Sequence, residues 1–200
     1  MVGITPIRYF VFALALIPLL RLVILGYLGD LSANPVEFIT RSTGTWTITF
    51  LCITLAMSPM RWITAWTGWI QMRRMFGLFT FFYGFLHFSI WYWLDHNLDA
   101  AAMIDDVIER PFITVGFLAF VLMSLLALTS NQRAVRALGR KWSSLHRLIY
   151  VIAILGVLHY LWHKAGKNDF EVVYIYAGII FVLLIIRLPF IQRYLVRVRS

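Results

Sequence analysis

Charge is scarce in this 200-residue chain: 14% of residues are Asp, Glu, Lys or Arg, only nine of them acidic, against 61% hydrophobic. An ordinary soluble domain is about a quarter charged and about half apolar, so the composition excludes one. It predicts a single membrane bundle with little room for an extramembrane domain. Cysteine is scarcer still. Cys52 is the only one and lies in an apolar run, which excludes an intramolecular disulfide, a Cys-ligated iron–sulfur cluster and a Cys-x-x-Cys-His covalent haem attachment. The interiors of the apolar runs also lack the Asp or Glu that intramembrane proton relays commonly use. That weakens the competing class, a small proton-coupled transporter.

Six apolar runs are present, roughly 9–29, 44–60, 75–94, 111–129, 143–163 and 171–189. Each approaches the length of about 20 residues needed to span a bilayer, with Trp and Tyr extending the shorter ones. Asn34-Pro35, Ser58-Pro59 and Arg110-Pro111 interrupt or open runs, Ser42-Thr43-Gly44 precedes the second, and Pro18 and Pro189 fall within or at the edge of spans, where membrane helices tolerate kinks. Arg8 followed by Tyr9 to Leu28 resembles a signal peptide. The run is too long for one and no small-residue cleavage site follows, so a membrane-spanning first helix is expected. The fold expected is an all-α, six-helix membrane bundle over residues 1–200, without sequence repeats.

The net charge of +9 is distributed asymmetrically. Arg61, Arg73 and Arg74, then Arg133, Arg136, Arg140 and Lys141, then Arg187, Arg193, Arg197 and Arg199 occupy one set of connections. All the acids, Asp30, Glu37, Asp95, Asp99, Asp105, Asp106, Glu109, Asp169 and Glu171, occupy the other. Basic residues concentrate in cytoplasmic loops, so both termini are expected inside, and the basicity marks a membrane face and not a nucleic-acid surface. The acidic connection from about 95 to 110 reads as a solvated loop or as a docking surface, since clustered like charge steers association. His96 within it reads as solvated.

Chemistry falls to histidine. His146 and His159 are thirteen positions apart in one apolar run, and His87 lies in another. His87 follows Arg73 and Arg74 by 14 and 13 positions, so it should share a depth with His159 on a parallel helix. That placement suits a haem clamped by two neutral imidazoles and held by coordination alone, although each histidine could instead merely bridge helices. His146 should face Arg73 or Arg74. Arginine is a poor metal ligand but suits a propionate, a phosphate or a flavin edge, so this half-site could take a second haem, a quinone or a flavin phosphate. On an ideal helix thirteen residues leave His146 and His159 well over 100° apart. Gly77 and Gly84, seven apart, would let a flat cofactor or a neighbouring helix approach closely. His163 reads as interfacial, and Arg21 either snorkels or meets a propionate.

The motifs Thr129-Ser130-Asn131-Gln132, Leu138-Gly139-Arg140-Lys141-Trp142, Leu145-His146 with Tyr150, and His159-Tyr160-Leu161-Trp162 resemble the MsrQ (YedZ) family of haem-binding membrane subunits. Arg73-Arg74 with Gly77-Leu78, Leu86-His87 and Asn34-Pro35 extend the likeness from about Leu16 to Ile186. More distantly, the chain resembles the ferric reductase-like transmembrane domain, whose members carry two histidines on each of two helices; this chain lacks one of the four. The resemblance implies an inner-membrane electron-transfer subunit with b-type haem and an association with FMN. It implies haem-iron positions at His87, His146 and His159; His163 and Arg21 match no family position. It further implies electrons from the quinone pool, or a flavin donor, and delivery to a periplasmic molybdopterin partner, MsrP, that repairs methionine sulfoxide in oxidised proteins. The chain would carry electrons and leave substrate reduction to the partner.

Overall fold

The computed structural model describes residues 4–166 and 168–199. Among the described residues ten α-helices follow one another: α1 (Ile4–Leu28), α2 (Pro35–Thr64), α3 (Gly68–Ile90), α4 (Ala100–Glu109), α5 (Pro111–Leu128), α6 (Gln132–Leu138), α7 (Arg140–Leu145), α8 (Leu148–Ala165), α9 (Glu171–Ile185) and α10 (Pro189–Arg199). No strand occurs among the described residues. Four segments are long and apolar enough to cross a membrane: Thr5–Leu28, Gly68–Asp95, Pro111–Leu128 and Arg140–Ala165. The other two expected runs are also helical. α9 is a shorter apolar helix, whereas α2 begins nine positions before its run because Asn34 caps it, the side chain accepting from Glu37 N at 3.2 Å, and Pro35 supplies the first turn.

α2 is the spine. Its Ile48, Leu51, Cys52 and Leu55 pack with Leu126 of α5, Ile149, Ile152 and Ala153 of α8 and Ile180 of α9. Its Phe50 and Met57 join a second cluster with Ala15 of α1 and Met72, Phe76, Phe79 and Tyr83 of α3. Phe50 stacks on Phe76, Phe79 and Tyr83 at centroid distances of 6.2, 5.5 and 5.2 Å. Bilayer hydrocarbon provides no hydrophobic drive between helices, so such dispersion contacts and polar ties hold the bundle.

One polar tie answers a proline, and a second lies close to one. Pro59 has no N–H for the carbonyl of Leu55 four residues earlier, and the Arg187 guanidinium, arriving from beyond α9, donates to that carbonyl and to Leu183 O. Near Pro18 in α1, the wholly buried Tyr83 hydroxyl donates to Ala15 O at 2.8 Å and accepts from Leu19 N at 3.3 Å. It thus sits in an i, i+4 rung of α1 and locks that helix to α3.

The acidic connection is not a loop but mostly α4, capped by Asp99, which accepts from Ala101 N and Ala102 N at 2.9 and 3.2 Å. His96 is not solvated. Its side chain is 13% exposed, sits edge-on to Trp91 and contacts Asp106, itself 11% exposed and also paired with Arg110 at 2.7 Å. Burial against Trp91 outweighs the polarity of the surrounding sequence. The side chains of Arg197 and Arg199 lie outside the described residues.

Candidate cofactor site

His87 on α3 and His159 on α8 face each other with ring centroids 6.1 Å apart and planes at 80°. Nδ1 of His87 lies 2.9 Å from Thr40 O, and Nδ1 of His159 lies 2.7 Å from Phe112 O. A carbonyl only accepts, so each Nδ1 carries the proton and each Nε2 presents a lone pair. Both rings are half-buried.

A glycine seats each ring. A Cβ on Gly44 of α2 would stand 3.1 Å from His87 Cε1, and one on Gly116 of α5 would stand 2.5 Å from His159 Nδ1. The two seats are copies. Thr40 and Phe112, Gly44 and Gly116, and His87 and His159 are each 72 positions apart. The hairpin α2–α3 is therefore repeated by α5 with α7 and α8, although the residues between show no sequence repeat. At the equivalent offset Arg74 corresponds to His146, which lies in a loosened turn between α7 and α8.

Two imidazoles this close, each with its lone pair left on Nε2, would suit joint binding of one metal ion. No group of three or more His, Cys, Asp or Glu able to hold a metal occurs among the described residues, so the remaining coordination positions would have to come from the cofactor. A planar tetrapyrrole with two open axial positions fits this donor set.

The second cluster differs. His146 Nε2 is 3.2 Å from Thr129 Oγ1, whose own proton goes to Leu125 O at 2.8 Å. The imidazole is therefore the donor, and His146 is the opposite tautomer from the facing pair. Trp142 stacks on it at 4.0 Å and donates Nε1–H to Thr129 O at 2.9 Å. Gly139, at φ +50° and ψ −125°, makes the turn that starts α7 and brings Trp142 there; that conformation is open essentially to glycine alone. Arg73, Gly77, Thr80, Ser130 and His146 line one cavity of about 80 Å³, and Arg73 Nη1 reaches Ser58 Oγ at 3.5 Å.

Of the residues singled out in the sequence, the structure thus brings His87 to His159, and Arg73 and Gly77 to His146. Arg74 is exposed and lies outside that cavity. Gly84 packs against Met123 of α5, with 2.9 Å between a built Cβ and Met123 Cε. His163 is exposed with its ring 5.7 Å from Phe112. Arg21 lines a separate cavity between α1, α2 and α9. Sequence reasoning missed Gly44 and Gly116. Their signal was the matching offset of 43 positions from each glycine to its histidine.

Residues 43–157 match the family described as ferric reductase like transmembrane component. A protein from Ralstonia nicotianae named protein-methionine-sulfoxide reductase heme-binding subunit MsrQ is 56% identical over 94% of this chain and 87% of its own length. Proteins of the same name from Herminiimonas arsenicoxydans and Bordetella pertussis are 53% and 52% identical, over 92% and 89% of this chain and 84% and 86% of theirs. No solved structure matches.

Proposed function

The chain belongs to the ferric reductase-like transmembrane family and, within it, to the MsrQ haem-binding subunits, and from that premise we propose that His87 and His159 would hold the iron of a b-type haem and that the chain serves as a membrane electron carrier. The observation that carries this reading is the close pair of imidazoles, ring centroids 6.1 Å apart, each with Nδ1–H held by a backbone carbonyl and its lone pair left on Nε2. Haem held there supplies one-electron oxidation and reduction. The protein's part is to fix tautomer and ring orientation, since ligand histidines depend on such outer partners.

The electron donor in this reading is the quinone pool or a flavin, and the acceptor is the periplasmic molybdopterin subunit MsrP, which repairs methionine sulfoxide in oxidised proteins. His146 is the third haem-associated position by family resemblance; with its Nε2–H donated to Thr129, it would ligate only after giving up that bond. Arg73, beside Gly77 and His146, is the cation suited to an FMN phosphate or a haem propionate. Arg74, exposed at the same end of α3 as Arg73, and Gly84, buried against Met123, are the further cofactor-associated positions of this reading. α2 and α9 complete six spans in the inner membrane, with the arginine-rich connections and both termini on the cytoplasmic side. α4 then faces the periplasm, and its exposed Asp105 and Glu109 are the charges available to a partner, because Asp106 is committed to His96 and Arg110.

Purified protein from haem-replete cells, reduced with dithionite, should show the sharp α-band of six-coordinate b-type haem. A colourless preparation would sink the proposal. Neutralising Asp105 and Glu109 should slow electron delivery more at low salt than at high salt, by several-fold at most; a salt-independent rate would remove α4 as the docking face.

A further inference from the structure

The face of α2 opposite Gly44 carries chemistry that the paired histidines do not use. Arg21 of α1, Arg41, Trp46 and Thr49 of α2 and Tyr176 of α9 line a cavity of about 560 Å³, within the range of about 300–1,000 Å³ typical of small-molecule sites. The repeat shows that this polarity is not needed to pair the helices. At the equivalent positions of α5, Trp46 becomes Leu118 and Thr49 becomes Val121, apolar side chains 48% and 46% exposed.

The polar groups at its base have an assigned direction. Thr49 Oγ1 donates to Thr45 O at 2.7 Å, so the Tyr176 hydroxyl, 2.8 Å away, donates to Thr49 and keeps its own oxygen lone pairs for an incoming donor. Arg21 and Arg41 add guanidinium donors, the latter also paired with Glu37 at 3.2 Å. Trp46 supplies a flat apolar wall. A ligand with a flat ring, one hydroxyl that donates and one oxygen that accepts matches these groups.

The cavity also adjoins both histidines. Thr45 follows Gly44, the seat of His87, and the ring of Tyr160, next in sequence to His159, is 6.4 Å from Tyr176. One helix thickness, about 10 Å, therefore separates cavity and histidine pair.

We propose that this cavity binds the ring of a membrane-dissolved hydroquinone, with Tyr176 accepting from one ring hydroxyl, Arg21 and Arg41 donating to the other oxygen, and Trp46 against the ring face. The inference rests on the electron-carrying reading and places the donor beside His87 and His159, not in the Arg73–His146 cavity.

The test uses the full-length, haem-loaded protein in detergent. An arylazido-quinol, kept reduced under anaerobic conditions, should label the peptides containing Trp46–Thr49 and Tyr176. Decylubiquinol should compete it away, and phosphatidylglycerol at the same concentration should not. Tyr176→Phe and Arg21→Gln should each weaken decylubiquinol binding about tenfold, the effect of one lost hydrogen bond to a bound group, with the haem spectrum unchanged because neither residue touches His87 or His159. Labelling elsewhere, displacement by phosphatidylglycerol, or wild-type affinity in both spectrally intact variants would overturn the proposal. Absence of haem would instead defeat the electron-carrying reading, and the labelling map would still decide whether the cavity takes a quinol.

Discussion

The two histidine layers of this bundle are built from the same repeated hairpin and are prepared for different tasks. In the layer of His87 and His159, backbone carbonyls take both Nδ1 protons, glycines clear the space behind both rings, and each Nε2 keeps its lone pair. In the layer of His146, the equivalent position on the other hairpin is Arg74, Arg73 lines the intervening cavity, and Nε2 is spent on Thr129. The difference shows that membrane depth makes a histidine available and that its hydrogen-bond partner decides what it offers. A backbone carbonyl leaves a ligand; a threonine hydroxyl already bonded to its own helix takes the ligand nitrogen away.

Breaking either half of the first layer should have the largest effect. His87→Ala or His159→Ala should remove most of the bound haem, whereas His146→Ala should leave the six-coordinate signal of that layer; pyridine haemochrome stoichiometry and the reduced α-band measure both. Equal haem loss in all three variants would erase the distinction between the layers.

Next come the glycine seats. Gly116→Ala places a methyl 2.5 Å from His159 Nδ1 and must push the ring or part α5 from α8, whereas Gly77→Ala meets only Thr54 Cγ2 at 3.7 Å, an ordinary contact. Haem retention and thermal stability should fall sharply in the first and little in the second, with Gly44→Ala between them at 3.1 Å. A Gly77→Ala variant as damaged as Gly116→Ala would mean that the Arg73–His146 layer also depends on close approach.

The smallest effect probes how His146 is held. Trp142→Phe keeps a ring against the imidazole but removes the Nε1–H bond to Thr129 O. It should cost about 1 kcal/mol of stability, read as a modest fall in melting temperature, and leave the His87–His159 haem spectrum untouched. A changed spectrum would show that the two layers are coupled.

Much of this was legible in the chain. Apolar runs bounded by prolines and arginines located the helices, because a bilayer demands long apolar stretches and internal backbone bonding. The depth of His87 and His159, and the meeting of His146 with Arg73, followed from counting along helices. Counting failed where a helix departs from an ideal rod: the loosened turn at His146 and Arg147 means that the angular offset from His159 never applied. His96 was misread for a related reason, since a polar neighbourhood in sequence does not reveal the tryptophan that covers it in space.

By itself the sequence determined that the protein is an all-helical membrane chain, that a Cys-x-x-Cys-His haem linkage is excluded, and that histidine is the metal-binding side chain that recurs within the apolar runs, beside a single cysteine. Those are properties of composition and one-dimensional spacing. Only the tertiary structure decided which nitrogen each histidine presents, which glycines stand behind the rings, and that one face of α2 lines a polar cavity while its counterpart on α5 is exposed. Each of these depends on atoms from helices distant in the chain, brought within a few ångströms by packing that sequence spacing does not encode.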